Sequence, residues 1–580
     1  MATNIKIAPW YFGNTTVRSP FRLRDGLVAI STSALQGHLR GVEQDKAFRK
    51  LLGVAGIVEL GEDSTNSVGR KWRAALSQLG FLYPEIPNRA EVIQLEIGAV
   101  DTITPNGWRL VSAETVAGMQ ECFLRSLASY YIPNCLEGAY GFSTVFSPLR
   151  HTLSIMLELE RQTGNCRLAF LEMGLIVQMS NSQHSIESII DKIIVFRESR
   201  DNSTNKRQFD NAERDRCSTL FGYQPRTFDD YADLNFRYLK ATGLFQSKGR
   251  GITFVPEKHL FIEQLSAETY IPPDNRTYLI NLCNGSSLPT DNCVSAKLVL
   301  DDLVNQLIVR GEHIDIPTIS PTDTASINIA RHQVEDRIFL LKEQDYAKQQ
   351  SAQWQDIAAW MELLIANSNR TITTISGEEI KIPYGEAPAY FEWIVWRAFL
   401  AINSLKNPPN KSRKFKIDQD FLPVGTAPGG GPDLIFEFEN FVLVVEVTLT
   451  TNSRQEAAEG EPVRRHVADS VLAYSEFNKK VYGLFIANKI DSNTAETFRF
   501  GVWYLKDDNR MLLDIVPMPL SHFKTFFVAM FQNQQVDTTY VEEILLNCRN
   551  LREHDAPIWK AKICEEVSAY STMLSARTCV

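Results

Sequence analysis

No run in the sequence approaches the roughly 18 consecutive apolar residues of a membrane-spanning helix, which excludes a helical membrane protein. The start, Met1-Ala2-Thr3-Asn4-Ile5-Lys6, lacks the basic opening and apolar core of a signal peptide. Cysteine is sparse: 9 residues lie between Cys122 and Cys579, with no C-x-x-C pair. The nearest two, Cys283 and Cys293, are too widely spaced for a structural zinc site. An odd number also argues against complete pairing, so reduced thiols in a cytosol are expected. Positive charge is in deficit, with 60 Lys and Arg against 69 Asp and Glu and a net charge of −9. That excludes nucleic-acid binding by bulk positive charge but leaves room for a local basic face. No repeat with a period of about 20–50 residues appears, and no long low-complexity linker. What is present is ordinary for a folded chain: 44% hydrophobic and 22% charged residues over 580 positions. That length suggests about three to five domains.

The pattern reads as a multidomain α+β protein. Residues 1–120 form a small mixed unit, opened by Arg18, Arg22 and Arg24 around a proline turn. Helices are expected over 43–53 and 68–79, the second stopped by Gly80. Short strands are expected at Phe81-Leu82-Tyr83 and from Ile103 into Thr104-Pro105-Asn106-Gly107. This helix-then-hairpin rhythm is winged-helix-like. It recurs more clearly at the end of 121–265, a mostly helical stretch. There a helix over 231–242 meets Gly243, a strand starts at Leu244-Phe245, and Lys248-Gly249-Arg250-Gly251 makes a basic turn. Ile252-Thr253-Phe254-Val255 returns as a strand and Pro256 stops it. Such a hairpin can place a helix in the DNA major groove and its tip on phosphates; a merely solvated tip is the plainer reading. Residues 266–375 read as a connector, broken first by Pro272-Pro273, Pro317 and Pro321. One or two long amphipathic helices follow over 327–367.

Residues 376–580 change character. An apolar aromatic helix is expected over 390–405, with strands over 433–438, 441–450, 480–487 and 498–504. The second of these, Val442-Leu443-Val444-Val445-Glu446-Val447-Thr448, is nearly all apolar, as a central strand should be. The whole is an α/β domain on a mixed sheet.

Chemistry concentrates here. Asp433 follows Pro432 at a strand start, and Glu446 sits within the next strand. A carboxylate in an apolar strand is costly unless paired or bound to metal. Neighbouring antiparallel strands bring such residues side by side, and a hard cation relieves their repulsion. Mg2+ takes few protein carboxylates and keeps water and substrate oxygens in its other positions. Held there, it acidifies water and stabilises an attacked phosphate. This is the logic of the P-D…(D/E)-x-K nuclease motif, with Thr448 where the lysine belongs. Glu459, His466 and Arg465 are the candidates for the missing lysine's role.

The surrounding residues resemble the AlwI family of type IIS restriction and nicking endonucleases. The matching features are Tyr390-Phe391-Glu392-Trp393-Ile394-Val395-Trp396, the 425–431 loop, P-D, E-V-T, and Glu459-Gly460-Glu461-Pro462-Val463-Arg464-Arg465-His466. Upstream, Trp10-Tyr11, Arg18-Ser19-Pro20, Arg237-Tyr238, Thr242-Gly243-Leu244-Phe245 and Pro256-Glu257-Lys258 match as well. The resemblance implies two winged-helix-like recognition subdomains (1–120 and 121–265), a helical linker (266–375) and a PD-(D/E)xK-like cleavage domain (376–580). It implies a short asymmetric duplex DNA site cut a few base pairs away, with Mg2+ or Mn2+ as cofactor. Asp433, Glu446 and Glu459 map to the metal site, and Glu392 and His466 to the catalytic set. Thr448 is then a family trait. The resemblance also implies a bacterial cytoplasm, a companion methyltransferase, and a cleavage-domain homodimer where both strands are cut.

Each residue keeps a plainer reading. Asp433 could be a turn acid, Glu446 could pair with Arg464 or Arg465, Glu459 could be solvated in a loop, Glu392 could be salt-bridged, and His466 could hydrogen-bond backbone or cap a helix. Arg464 or Arg465 is expected on the scissile phosphate; Arg18, Arg22, Arg24, Lys248 and Arg250 are expected on DNA or simply on the surface. The competing function is a DNA-binding regulator whose nuclease-like domain is inactive.

Overall fold

A computed structural model describes residues 7–58, 67–138, 140–268, 270–314, 323–366, 370–375, 377, 379–477 and 479–576. Pro317 and Pro321 lie outside them. The chain divides into two compact units, Met1–Asp336 and Arg337–Val580.

The first unit is dominated by helices. Its three-stranded antiparallel sheet has the order β1 (Leu168–Ala169), β3 (Gly251–Phe254), β2 (Phe245–Ser247). Helix α1 (Pro225–Ala241) feeds this hairpin. Thr242 closes the helix, and Gly243 takes a left-handed φ of 73° to turn the chain into β2. The expected helices over 43–53 and 68–79 are present as Val42–Val54 and Ser67–Gln78. The first expected hairpin is cut short: Leu82 and Ile103 form an isolated antiparallel bridge, flanked by the Tyr83 amide donating to Thr102 O and the Thr104 amide to Phe81 O. The reason is local. The Thr104 hydroxyl caps a helix by accepting from the Gly107 amide at 2.9 Å, and Pro105 occupies the first helical turn, so the chain leaves the extended state at once. The connector also holds helices, Asn275–Asn284 and Cys293–Val309. The long helical pattern after it is two helices, α2 (Thr324–Gln349) and Trp354–Ala366.

The second unit is built on a four-stranded mixed sheet. Strands β4 (Leu434–Glu437) and β5 (Phe441–Thr448) form an antiparallel hairpin. Next to β5 run β6 (Lys480–Ala487) and then β7 (Ile515–Pro519), both parallel. The aromatic helix α3 (Ala387–Ile402) is buried along its whole length from Ala389 onward, so it belongs to the core. Helix α4 (Arg454–Tyr474) crosses between β5 and β6. Its approach is close because β6 carries Gly483. A Cβ there would stand 2.8 Å from the Val467 side chain and 2.9 Å from that of Ile515. Glycine in a strand interior commonly marks such contact.

Two expectations fail in this unit. Phe498 and Phe500 end a helix, Ser492–Phe500, and only Val502–Tyr504 is strand, because Gly501 stops the helix in the left-handed region. That strand pairs with Arg510–Leu512 in a separate two-stranded sheet. The stretch around Glu459 is helix, not loop.

Candidate active site

The site is set by strand alternation and helix periodicity. On β5, Glu446 and Thr448 point to one face because successive side chains alternate. The β4–β5 register pairs Leu434 with Val445, so one step further Asp433 falls opposite Glu446. The Asp433 carboxylate accepts the Val447 amide at 3.0 Å. Helix α4 presents Gly460, Val463, His466, Val467 and Ser470 as buried positions, and Glu459 lies two turns before His466 on that face. His466 Nδ1 meets Glu446 Oε1 at 2.6 Å, and its Nε2 is buried with no hydrogen-bond partner. The Thr448 hydroxyl pairs with Glu459. Glu392 on α3 accepts the Ala427 amide at 2.7 Å, tying the helix to the 425–431 loop.

Asp433, Glu446 and Glu459 therefore gather around His466, and Glu392 bears on Asp433 and Glu446. Burial, then the neighbouring Asp433, pushes the Glu392 carboxyl far above the usual range. Burial, then Glu446, does the same to Asp433. Glu446 rises to about 8, chiefly by burial. Glu459 is raised by burial and then by Asp433, against the Thr448 hydrogen bond. The hydrogen bond between the Asp433 and Glu446 carboxyls requires a proton on one of them. That bond raises Asp433 and partly offsets the effect of burial on Glu446. Burial and the adjacent Arg465 lower His466, favouring neutral imidazole. A neutral ring that donates Nδ1–H to Glu446 leaves Nε2 as an acceptor inside the site.

The donor set fits a hard divalent cation. Two carboxylates that must otherwise share a proton suffice for Mg2+, which needs only one or two from the protein. Among the described residues, no three His, Cys, Asp or Glu side chains already stand in ligand positions around one point.

The basic residues separate. Arg464 is committed to backbone: Nε to Gly460 O at 3.0 Å and Nη1 to Val502 O at 3.2 Å, with Trp503 under its guanidinium. Arg465 pairs with Glu461 at 3.0 Å, is 37% exposed, and bears electrostatically on Glu446 and His466. Neither arginine partners Glu446; His466 does. In the first unit Arg18 pairs with Asp230 and Asp233. Arg24 donates to the Val111 carbonyl, and Arg22 is half-buried. Lys248 and Arg250 are exposed at the hairpin tip. Behind that tip is a cavity of about 310 Å³ lined by Arg167, Arg197, Arg200, Arg214 and Arg250. Nothing in the sequence announces this cluster, since its arginines come from separate segments with no shared spacing. Three of them are ion-paired, Arg197 to Glu172, Arg200 to Asp210 and Arg214 to Asp229. Arg167 donates to the Lys248 carbonyl at 3.0 Å and so braces the tip.

A family model described as AlwI restriction endonuclease matches residues 77–526. The chain belongs to the AlwI restriction endonuclease family. The matched span holds Glu392, Asp433, Glu446, Glu459 and His466, together with the hairpin carrying Lys248 and Arg250; Arg18, Arg22 and Arg24 precede it. Membership makes the chain a restriction enzyme, a nuclease whose partner is DNA. No curated protein matches the sequence. Among solved structures, the small subunit of the heterodimeric restriction endonuclease R.BspD6I is 22% identical, covering 38% of this chain and 98% of that one, with a TM-score of 0.27. The BpuJ1 endonuclease binding domain, solved with pyrene- and phenanthrene-modified DNA, is 13% identical, covering 42% of this chain and 85% of that one, also with a TM-score of 0.27. Among the described residues no helix is long and apolar enough to cross a membrane.

Proposed function

We propose that this AlwI-family member is a type IIS endonuclease. It reads a short asymmetric duplex sequence with two recognition subdomains (1–120 and 121–265), the second carrying the winged-helix-like hairpin, spans a helical linker (266–375), and cuts a few base pairs outside the site with 376–580. The observation that carries this is the gathering of Asp433, Glu446 and Glu459 around His466, with Glu392 beside Asp433 and Glu446, in a PD-(D/E)xK-like hairpin with Thr448 at the lysine position. Asp433 and Glu446, with Glu459 beside them, would hold Mg2+, for which Mn2+ can substitute. Bound there, the ion would supply an acidified water and neutralise charge on the attacked phosphate. The chain's own residues do the rest. Glu446 orients His466 through Nδ1, so that Nε2 can accept a proton from water. Thr448 holds Glu459 in place of a lysine–carboxylate contact. Glu392 fixes the 425–431 loop beside the site. Arg465, not Arg464, is the arginine free enough of the backbone to meet the scissile phosphate. One constellation cuts one strand, so double-strand cleavage would need a homodimer through the cleavage domain, and a chain that pairs poorly would nick. The setting would be a bacterial cytoplasm with a companion methyltransferase.

Supercoiled plasmid incubated with Mg2+, beside EDTA and an Asp433→Ala/Glu446→Ala variant, tests this. Discrete metal-dependent cuts lost in the variant are expected, and sequenced ends give the site, offset and strand. No cutting by a folded, DNA-binding chain would replace this reading with an inactive DNA-binding regulator.

A further inference from the structure

Arg413 and Glu343 form an ion pair outside the site described above. Arg413 Nε donates to Glu343 Oε1 at 2.8 Å, Nη2 to Oε2 at 3.1 Å, and Nη1 to the Phe415 carbonyl at 2.6 Å. The Glu343 side chain is 1% exposed and that of Arg413 11%. The guanidinium lies 5.6 Å from the ring centroid of Trp396, which stands one turn after Glu392 on α3. Trp396 in turn donates to the buried Ser412 hydroxyl at 2.9 Å. A pair this buried adds little net stability over an apolar substitute, because desolvation offsets the attraction. Its fixed geometry needs another reason.

The backbone supplies one. The Arg413 segment runs beside the start of β4. Arg413 bridges Leu434, the Lys414 amide donates to Asp433 O at 3.1 Å, and the Ile435 amide donates to Ser412 O at 3.0 Å. Asp433 is thus held twice, its backbone by residues 412–414 and its carboxylate by the Val447 amide. The loop before it is tied to α3 at Ala427, but between there and Asp433 a Cβ at Gly429 or Gly430 would meet nothing within 4 Å. We infer that Glu343 and Arg413 are positioning residues. By locking the segment that edges β4, they set where the Asp433 carboxylate stands and so how tightly the site holds its divalent ion. The inference rests on the metal-dependent nuclease reading above.

The test uses the full chain carrying Glu343→Gln, and separately Glu343→Met/Arg413→Met, which removes both charges so that neither is left buried alone. Four quantities are measured: Mn2+ affinity by calorimetry, the Mg2+ concentration for half-maximal plasmid cleavage, DNA affinity in EDTA, and the unfolding midpoint. Mn2+ affinity should fall ~10–100-fold, the range for lost partners behind a metal ligand. The Mg2+ requirement should rise in parallel, while DNA affinity stays unchanged. A folded double variant with wild-type Mn2+ affinity and Mg2+ requirement overturns the inference. Should both variants unfold, the wild-type chain decides. Its Lys414 and Ile435 amides should exchange hydrogen more slowly once Mg2+ is added, and unchanged exchange overturns the inference. A wild-type chain that neither binds Mn2+ nor cuts removes the nuclease reading itself; one that cuts normally beside unaffected variants removes only the positioning role.

Discussion

Asp433 and Glu446 are destabilising as they stand. Each is buried beside the other, and only a shared proton makes the arrangement tolerable. An isosteric Asp433→Asn can keep the Val447 amide contact through its side-chain oxygen and removes the repulsion. Cleavage should be lost, while stability without metal should rise by about 1–2 kcal/mol at pH 8; urea unfolding in EDTA checks this, and a less stable variant would refute it. The same electrostatics give a pH dependence. Glu446 ionises at about 8 in the fold but near 4.3, roughly, when unfolded. The folded chain therefore binds more protons than the unfolded one across that window. Stability must then fall as pH rises from about 5 to 8, by about 1.4 kcal/mol per pH unit for each proton retained. Mg2+ should flatten the fall, since a bound cation takes over the proton's part. Denaturation curves between pH 5 and 8.5, with EDTA or Mg2+, decide; metal-free stability that is flat or rising would exclude the shared proton.

At the scale of elements, the contact between α4 and the sheet controls the site. Gly483→Ala places a methyl 2.8 Å from Val467, next to His466 on the same helix. Overpacking there should cost about 1–3 kcal/mol and tilt His466 away from Glu446. Cleavage should fall much more than DNA binding does. Equal losses in both would point to general unfolding. What the sequence disclosed at this scale follows from its periodicities. Val442 to Val445 announce a central strand, and the alternation that buries them also singles out Glu446. Gly483 is legible as a close approach only once a helix is known to cover it. The helix around Glu459 was hidden by Gly460 and Pro462, which read as breakers. It forms because the face made by Val463, His466 and Val467 is buried on the sheet, and that packing overrides local preference. Strand β7 was hidden by Pro517 and Pro519; at the sheet's edge a proline's missing N–H is tolerated. Glu392, 41 positions before Asp433 in sequence, was reachable only through family resemblance, since no spacing rule links a helix acid to a distant hairpin. The Arg413–Glu343 pair had no sequence signal at all.

For the whole molecule, a net charge of −9 means that DNA must be held by a few local cations against a repulsive background. Affinity should then depend steeply on salt, with each phosphate contact contributing about −0.9 to the slope of log K against log salt. Lys248→Ala and Arg250→Ala should each reduce that slope by about one if the hairpin tip meets backbone phosphates. Fluorescence anisotropy between low and moderate salt measures it, and an unchanged slope would leave the tip merely solvated.

Among the described residues there is a single acid constellation of this kind, on β4, β5, α3 and α4, and on the proposed reading each protein molecule would cut one strand. On a plasmid with one recognition site, open-circular DNA should therefore accumulate before any linear form. The first cut should have a rate proportional to enzyme concentration. Linear product, if it forms, requires a second copy of the cleavage unit, so its rate should rise with a higher order in enzyme. Adding a DNA-binding-competent Asp433→Asn chain should suppress linearisation more than nicking, because mixed pairs contain one working site. Linear DNA that appears without a nicked intermediate, at a rate first-order in enzyme, would mean that one molecule cuts both strands by repositioning a single site.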